Sequence, residues 1–296
     1  MTGFCSGIIT ALITPFKNDG INTYELAKLI EYQIEGGADA IVILGTTGEA
    51  STMTEEEKVE VITTAVKNFK NKIKIIVGTG SNDTRKAVGA SIRAENLGAD
   101  GVIAVTPYYN RCTQRGIYDY YKAICGAVSI PVIAYNVPTR TGVNILPETA
   151  ERIAEIPNIA GIKEASGDMS LVVETMRRIR GKADLYSGED FLNLPILSIG
   201  GAGLISVTSN IAPALMKRLY TLVKENRLNE ANEVQDFILP LVSACFNEIN
   251  PIPIKSACNM LGFDAGTPRA PLTELSDKNK IVLQREIERT GLRNIC

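Results

Sequence analysis

A chain of 296 residues, 45% hydrophobic and 22% charged, can build one large barrel or two ordinary domains around a full globular core. Its formal net charge of −2 gives no electrostatic reason to expect nucleic acid or an anionic membrane. Its longest apolar runs fall far short of the ~20 residues that cross a bilayer. The chain contains no histidine. That excludes Ser-His-Asp and Cys-His triads and imidazole-bound metal centres, and leaves proton transfer to Tyr, Lys, Asp, Glu, Cys or water.

The opening "MTGFCSG" lacks a basic segment followed by an apolar stretch, so a cytoplasmic protein is expected. The six cysteines (Cys5, Cys112, Cys125, Cys245, Cys258 and Cys296) show no CxxC spacing and read as reduced, mostly structural thiols.

In chain order, β-rich runs are predicted at 7–14 ("GIITALIT"), 40–45 ("AIVILG"), 72–78 ("KIKIIVG") and 101–107 ("GVIAVTP"). Four more follow at 131–137 ("PVIAYNV"), 159–165 ("IAGIKEA"), 183–188 ("ADLYSG") and 203–209 ("GLISVTS"). Helix grammar fills the gaps. Thr23 is a candidate cap for a helix ending at Gly36-Gly37. Thr54 and Glu57 have capping-box spacing, Asp83 or Thr84 opens the next helix, and Pro147 sits where a first turn begins.

Eight near-continuous apolar strands alternating with helices imply parallel strands covered by helices. Closed on itself, that pattern is an α/β fold of the (β/α)8 TIM-barrel type, which typically takes about 250 residues. An open doubly wound sheet is the runner-up. Residues 1–224 are assigned to the catalytic barrel and residues 225–296, helical in pattern, to a C-terminal extension packed on it.

Catalytic residues of such barrels lie at the C-terminal ends of the strands, and the polar oddities of this sequence fall there. Strand two runs into "GTTGEAS" with Thr46 and Thr47. Strand four runs into Tyr108 and Tyr109. Strand five ends in Tyr135 and continues to Arg140. Strand six ends at Lys163, strand seven reaches Gly188, and strand eight carries Ile205 and Ser206. Strand alternation puts Ile159, Gly161 and Lys163 on one face, and Ile133 and Tyr135 on one face of the neighbouring strand. Gly161 is expected to leave room for a ligand or for the lysine stem.

An ammonium in an apolar, partly enclosed site is disfavoured relative to the neutral amine. That amine condenses with a ketone to give an imine, with no metal or cofactor required. Tyr135 is the natural proton shuttle, with Thr46 and Tyr109 as hydroxyl neighbours. Blander readings exist for each: Lys163 paired with Glu164, "GTTGE" as a capping loop, Tyr135 as a core tyrosine, and Arg140 as a solvated loop residue. "GGAG" at 200–203 precedes a strand instead of opening a helix, which weakens a phosphate reading.

Taken in order and spacing, "GIITALITPF", "GTTGEASTM", "VTPYYNR", "YNVPTRTG", "GIKEASGD" and "GGAGLISVTSN" resemble the dihydrodipicolinate synthase family. That family lies within the pyruvate-dependent lyases, which also include N-acetylneuraminate lyase. The resemblance covers essentially the whole chain. It implies a lyase that joins pyruvate to L-aspartate 4-semialdehyde on the route to diaminopimelate and lysine.

Lys163 would carry the pyruvate imine. Tyr135 would be the general acid/base, linked through Thr46 to Tyr109, which in this family enters from a neighbouring subunit. Thr47 would hold the pyruvate carboxylate, with the Ile205 carbonyl and Gly188 nearby, and Arg140 would receive the carboxylate of the aldehyde. No further cofactor, nucleic acid or membrane partner is implied. The expected assembly is a homotetramer, at least a dimer. Other pyruvate aldolases on the same barrel, or a non-catalytic keto-acid-binding barrel, are the alternatives. Ser51, Asn82 and Tyr108 match a lysine-binding pocket of inhibited relatives. Lys58 and Lys86 replace a histidine and a glutamate there, so weak or absent lysine inhibition is expected.

Overall fold

The computed structural model describes residues 3–292, so Cys296 and the first two residues of the N-terminal reading lie outside the described residues. Eight parallel strands carry the fold: β1 (Gly7–Ala11), β2 (Ala40–Ile43), β3 (Lys74–Gly78), β4 (Gly101–Val105), β5 (Val132–Asn136), β6 (Ile159–Glu164), β7 (Asp184–Ser187) and β8 (Gly203–Ser206). They close into a barrel in sequence order, with β1 pairing both β2 and β8. The open doubly wound sheet is thereby ruled out.

The covering helices are α1 (Thr23–Glu35), α2 (Glu55–Phe69), α3 (Thr84–Asn96), α4 (Gln114–Ala127), α5 (Pro138–Thr141), α6 (Pro147–Ala154), α7 (Met169–Ile179), α8 (Asn193–Ser198) and α9 (Pro213–Lys224). Three more follow: α10 (Leu228–Cys245), α11 (Ile252–Met260) and α12 (Asp277–Arg289). These last three share buried clusters with the barrel. Ala231, Val234 and Ile238 of α10 pack with Ile8 and Leu204, while Ile254 and Cys258 of α11 belong to the main core. No helix among the described residues is long and apolar enough to cross a membrane.

The strands are shorter than the apolar runs because a run continues into the loop that leaves the barrel. The "GIITALIT" run leaves the strand after Ala11, although Leu12 still donates its backbone N–H to the Val42 carbonyl at 2.9 Å. Capping mostly follows the sequence grammar: Thr54 and Glu57 form the reciprocal box, Asp83 caps α3, and Pro147 occupies the first turn of α6. Asn22, not Thr23, caps α1, its side chain accepting from the Glu25 N–H at 3.3 Å. An amide oxygen is as good a cap acceptor as a hydroxyl.

A small hairpin, Phe16–Lys17 with Gly20–Ile21, was not expected. Its turn holds Asn18 and Asp19 at φ of 51° and 61°. Positive φ at both central positions matches the twist of a two-residue hairpin, and Asn and Asp tolerate it best after glycine.

Candidate active site

The mouth of the barrel is organised by β5, β6 and β7. Tyr135 of β5 and Tyr186 of β7 both lie in register with Lys163 of β6. That register depends on an irregularity: Val132 pairs with Ile159, but Ile133 pairs with Gly161. Uninterrupted pairing from Val132 would set Tyr135 opposite Ile162, whose side chain faces the helices. The extra residue on β6 moves the pairing by one and brings phenol and amine to the same face.

Lys163 is only 6% exposed, and its Nζ lies 4.2 Å from the centroid of the Tyr135 ring. Among the described residues no carboxylate forms an ion pair with it. Pairing with Glu164 is excluded by strand alternation. Glu164 faces the opposite side, where its carboxylate accepts from Asn136 Nδ2 at 2.9 Å and from the Ser166 N–H at 2.7 Å. Burial pushes the Glu164 carboxyl up, against those donors.

The glycines divide their roles differently from the sequence expectation. A Cβ at Gly161 would meet the Asp184 carbonyl oxygen at 2.5 Å and the Tyr186 ring at 2.6 Å. The space above Gly161 is therefore filled by Tyr186, not by a ligand or the lysine stem. Gly188 gives the stem its room, since a Cβ there would lie 2.8 Å from Lys163 Cε and 2.9 Å from Cγ. The backbone holds it in place, Gly188 donating its N–H to the Glu164 carbonyl at 2.8 Å.

Beyond Gly188, Glu189 lies near enough to Lys163 for the ammonium to act on its carboxyl. Burial first, and Asp190 second, push that carboxyl up, while the Phe191 backbone and Lys163 pull it down. Tyr135 is fixed from behind: its N–H donates to the Tyr121 hydroxyl at 3.2 Å, which donates to the Ala104 carbonyl at 2.9 Å.

Thr46 and Thr47 occupy the tight turn after β2. Thr47 is buried and Thr46 exposed. Leu44 and Glu49 flank the turn at φ of 56° and 55°. Leucine and glutamate reach that region only where the surroundings over-determine it. Ile205 is fully buried in β8, paired with Ile9. Tyr109 is 90% exposed at a φ of 72°. Among the described residues no hydrogen bond joins Tyr135, Thr46 and Tyr109 within one chain.

Arg140 lies on α5, a single helical turn starting at Pro138 where an irregular loop is expected from the sequence. Its Nη2 donates to the backbone carbonyl of Asn250 at 3.2 Å. Asn250 in turn donates from Nδ2 to Thr47 Oγ1 at 3.0 Å. This residue, missed in the sequence, bridges Thr47 and Arg140 from the start of the C-terminal α11 segment. Nothing local in "NEINPIPIK" marks it, because the contact spans 203 residues of chain.

A closed (β/α)8 barrel with a lysine at the C-terminal mouth that has no carboxylate partner among the described residues, a phenol in register beside it and an arginine on the rim defines a lysine-bearing barrel enzyme. The chain belongs to the dihydrodipicolinate synthetase family, whose model matches residues 4–290. It is 45% identical over 278 residues to the 4-hydroxy-tetrahydrodipicolinate synthase of Clostridium novyi, covering 94% of each chain. A dihydrodipicolinate synthase variant described as monomeric superposes with a TM-score of 0.96 at 41% identity, covering 98% of each chain. A dihydrodipicolinate synthase of Acinetobacter baumannii complexed with pyruvate superposes with a TM-score of 0.94 at 42% identity, covering 97% of this chain and 99% of the other.

Proposed function

We propose that this chain condenses pyruvate with L-aspartate 4-semialdehyde to give 4-hydroxy-tetrahydrodipicolinate. The buried amine of Lys163, held over the Tyr135 ring with no carboxylate partner among the described residues, is the observation that carries the reading.

The neutral amine attacks the pyruvate ketone, and loss of water gives a protonated imine. The methyl carbon loses a proton, and the resulting enamine forms a carbon–carbon bond to the aldehyde, whose oxygen takes up a proton. The amine of the aldehyde substrate then adds to the imine carbon, closing the ring and expelling Lys163 as the free amine. Tyr135 moves the protons, with Thr46 and Tyr109 as relay.

The exposure and positive φ of Tyr109 support its use by a neighbouring protomer, in an assembly of at least two and, by expectation, four chains. Thr47 takes the pyruvate carboxylate, with the Ile205 carbonyl and Gly188 beside it. Arg140 at the rim suits bidentate capture of the second carboxylate, whereas a sugar-acid lyase needs a polyol reader there. No cofactor enters, the covalent intermediate being the imine on Lys163. A cytoplasmic location suits an enzyme of amino-acid biosynthesis, and the barrel with its C-terminal helices divides at residue 224.

Borohydride reduction in the presence of pyruvate is expected to leave an adduct of one pyruvate unit on Lys163, absent in Lys163→Ala. No mass shift in the wild-type protein would overturn the reading. Turnover of a sugar-derived aldehyde in preference to the semialdehyde would move the chain to the other aldolases.

A further inference from the structure

Two residues beyond Thr47, the turn after β2 ends in a charge buried deep in the protein. The Glu49 carboxylate accepts from Lys255 Nζ at 2.7 Å, with the two side chains 1% and 0% exposed. Its other oxygen accepts from the Arg269 backbone N–H at 2.8 Å. Lys255 and Arg269 both stack on the Phe16 ring, 3.9 and 4.1 Å from its centroid. The Arg269 guanidinium continues outward to the Thr52 carbonyl at 3.2 Å, the Asp19 carbonyl at 2.6 Å and the Glu57 carboxylate at 2.6 and 2.8 Å. Lys255 and Arg269 thus come from the segment that starts at Asn250, and together they tie the end of the Thr46–Thr47 turn to the Phe16 hairpin and to the start of α2.

Removing two charges from water is costly, and a well-packed apolar pair of similar volume is often as stable. A buried pair at this place therefore invites an explanation other than stability. The turn it holds is bounded by Leu44 and Glu49 at positive φ, a conformation that relaxes unless the side chains are tied down. The Glu49 N–H also donates to the Thr46 carbonyl at 3.2 Å, so the orientation of Glu49 is transmitted to the threonine backbone. Thr14 fixes the middle of the turn, its hydroxyl donating to the Gly48 carbonyl at 2.8 Å.

We infer that Glu49 and Lys255 are positioning residues: their buried pair clamps the turn carrying Thr46 and Thr47 to the C-terminal helices and sets the pyruvate-carboxylate site. The inference rests on the proposed function and assigns the C-terminal segment a part in substrate binding. Lys255 acts through Glu49 and Thr47 and touches no substrate. Burial, which pushes the Lys255 ammonium down to about 8 against the pull of Glu49, agrees with a desolvated pair.

The experiment compares Glu49→Gln, Lys255→Met and the double variant with the wild type, reading thermal midpoint, KM for pyruvate, KM for the aldehyde and the rate of borohydride trapping. Each single variant leaves one group unpaired and is expected to lower the midpoint. The double variant removes both charges and is expected to recover the midpoint while KM for pyruvate stays raised about tenfold or more, the cost of a misplaced turn. KM for the aldehyde is expected to change far less. Recovery of the pyruvate KM together with the midpoint would reduce the pair to a structural element and overturn the inference.

If the double variant does not fold, Glu49→Asp decides. It keeps both charges and shortens the arm by one methylene, so a raised pyruvate KM supports the clamp and an unchanged one overturns it. Failure of the underlying function shows separately, as a wild-type protein that traps no pyruvate at all.

Discussion

Replacing Gly188 by alanine tests whether the stem of Lys163 is placed as closely as its chemistry demands. The new Cβ would lie 2.8 Å from Lys163 Cε, 2.9 Å from Cγ and 3.0 Å from the Ala165 Cβ. Carbon atoms settle at about 3.5–4.0 Å, so the lysine chain must retreat by roughly 0.7–1 Å. A misplacement of about 1 Å in a reacting group costs on the order of 10²-fold in rate. Overpacking alone costs about 1–3 kcal/mol of stability.

The expected outcome is a folded variant whose rate of imine trapping with pyruvate, and whose kcat/KM, fall about 10²-fold. Gly161→Ala is the matched control. Its Cβ strikes the Asp184 carbonyl and the Tyr186 ring instead of the lysine, so the damage should appear mainly in the thermal midpoint, through the β6–β7 pairing. Wild-type trapping rates in Gly188→Ala would refute the idea that this glycine makes room for the nucleophile. Equal rate losses in both variants would show that any crowding of the barrel mouth has the same effect.

Tyr135→Phe keeps the ring beneath Lys163 but loses the hydroxyl, and turnover should drop about 10²–10⁴-fold with little change in stability. Arg140→Lys keeps a charge but not the planar fork, so KM for the aldehyde should rise while pyruvate trapping is unaffected; equal effects on both substrates would count against its assignment. The depressed Lys255 value, about 8 against an ordinary 10.5, means that the unfolded chain binds more protons between those limits. Stability should therefore climb with pH across that window relative to Lys255→Met, by about 3 kcal/mol in total, as read from denaturant midpoints; a flat difference would refute the burial cost. Lysine should inhibit weakly or not at all. Lys58 is paired with Glu55, which Arg93 also engages, and Lys86 is exposed, so both positions carry a cation where inhibition is expected to need none. Inhibition by sub-millimolar lysine would refute the expectation.

The barrel was legible because its cues are local. Eight apolar runs separated by helix grammar need only neighbouring residues to be recognised, and Thr54 with Glu57 or Asp83 cap their helices as written. Lys163 was legible for the same reason: a cation within a strand-like apolar run is anomalous wherever the run ends up. The hairpin turn at Asn18 and Asp19 is also local, but the glycine of "NDG" falls after the two positive-φ positions, so the string departs from the Asn-Gly pattern that marks such turns.

The amino-acid sequence by itself determined which residues had the chemistry: an amine, a phenol, two threonines and an arginine, each at the end of a predicted element. Tertiary structure alone decided how they meet. The slip between Val132 and Ile133 turns Tyr135 toward Lys163, and strand periodicity cannot reveal it because pairing register is a property of two strands. The same holds for Gly161 and Gly188, whose roles depend on Tyr186 and Lys163 crossing above them. Asn250 and Lys255 reach the Thr46–Thr47 turn across more than 200 residues of chain, a distance at which no spacing rule operates and only the closed barrel makes them neighbours.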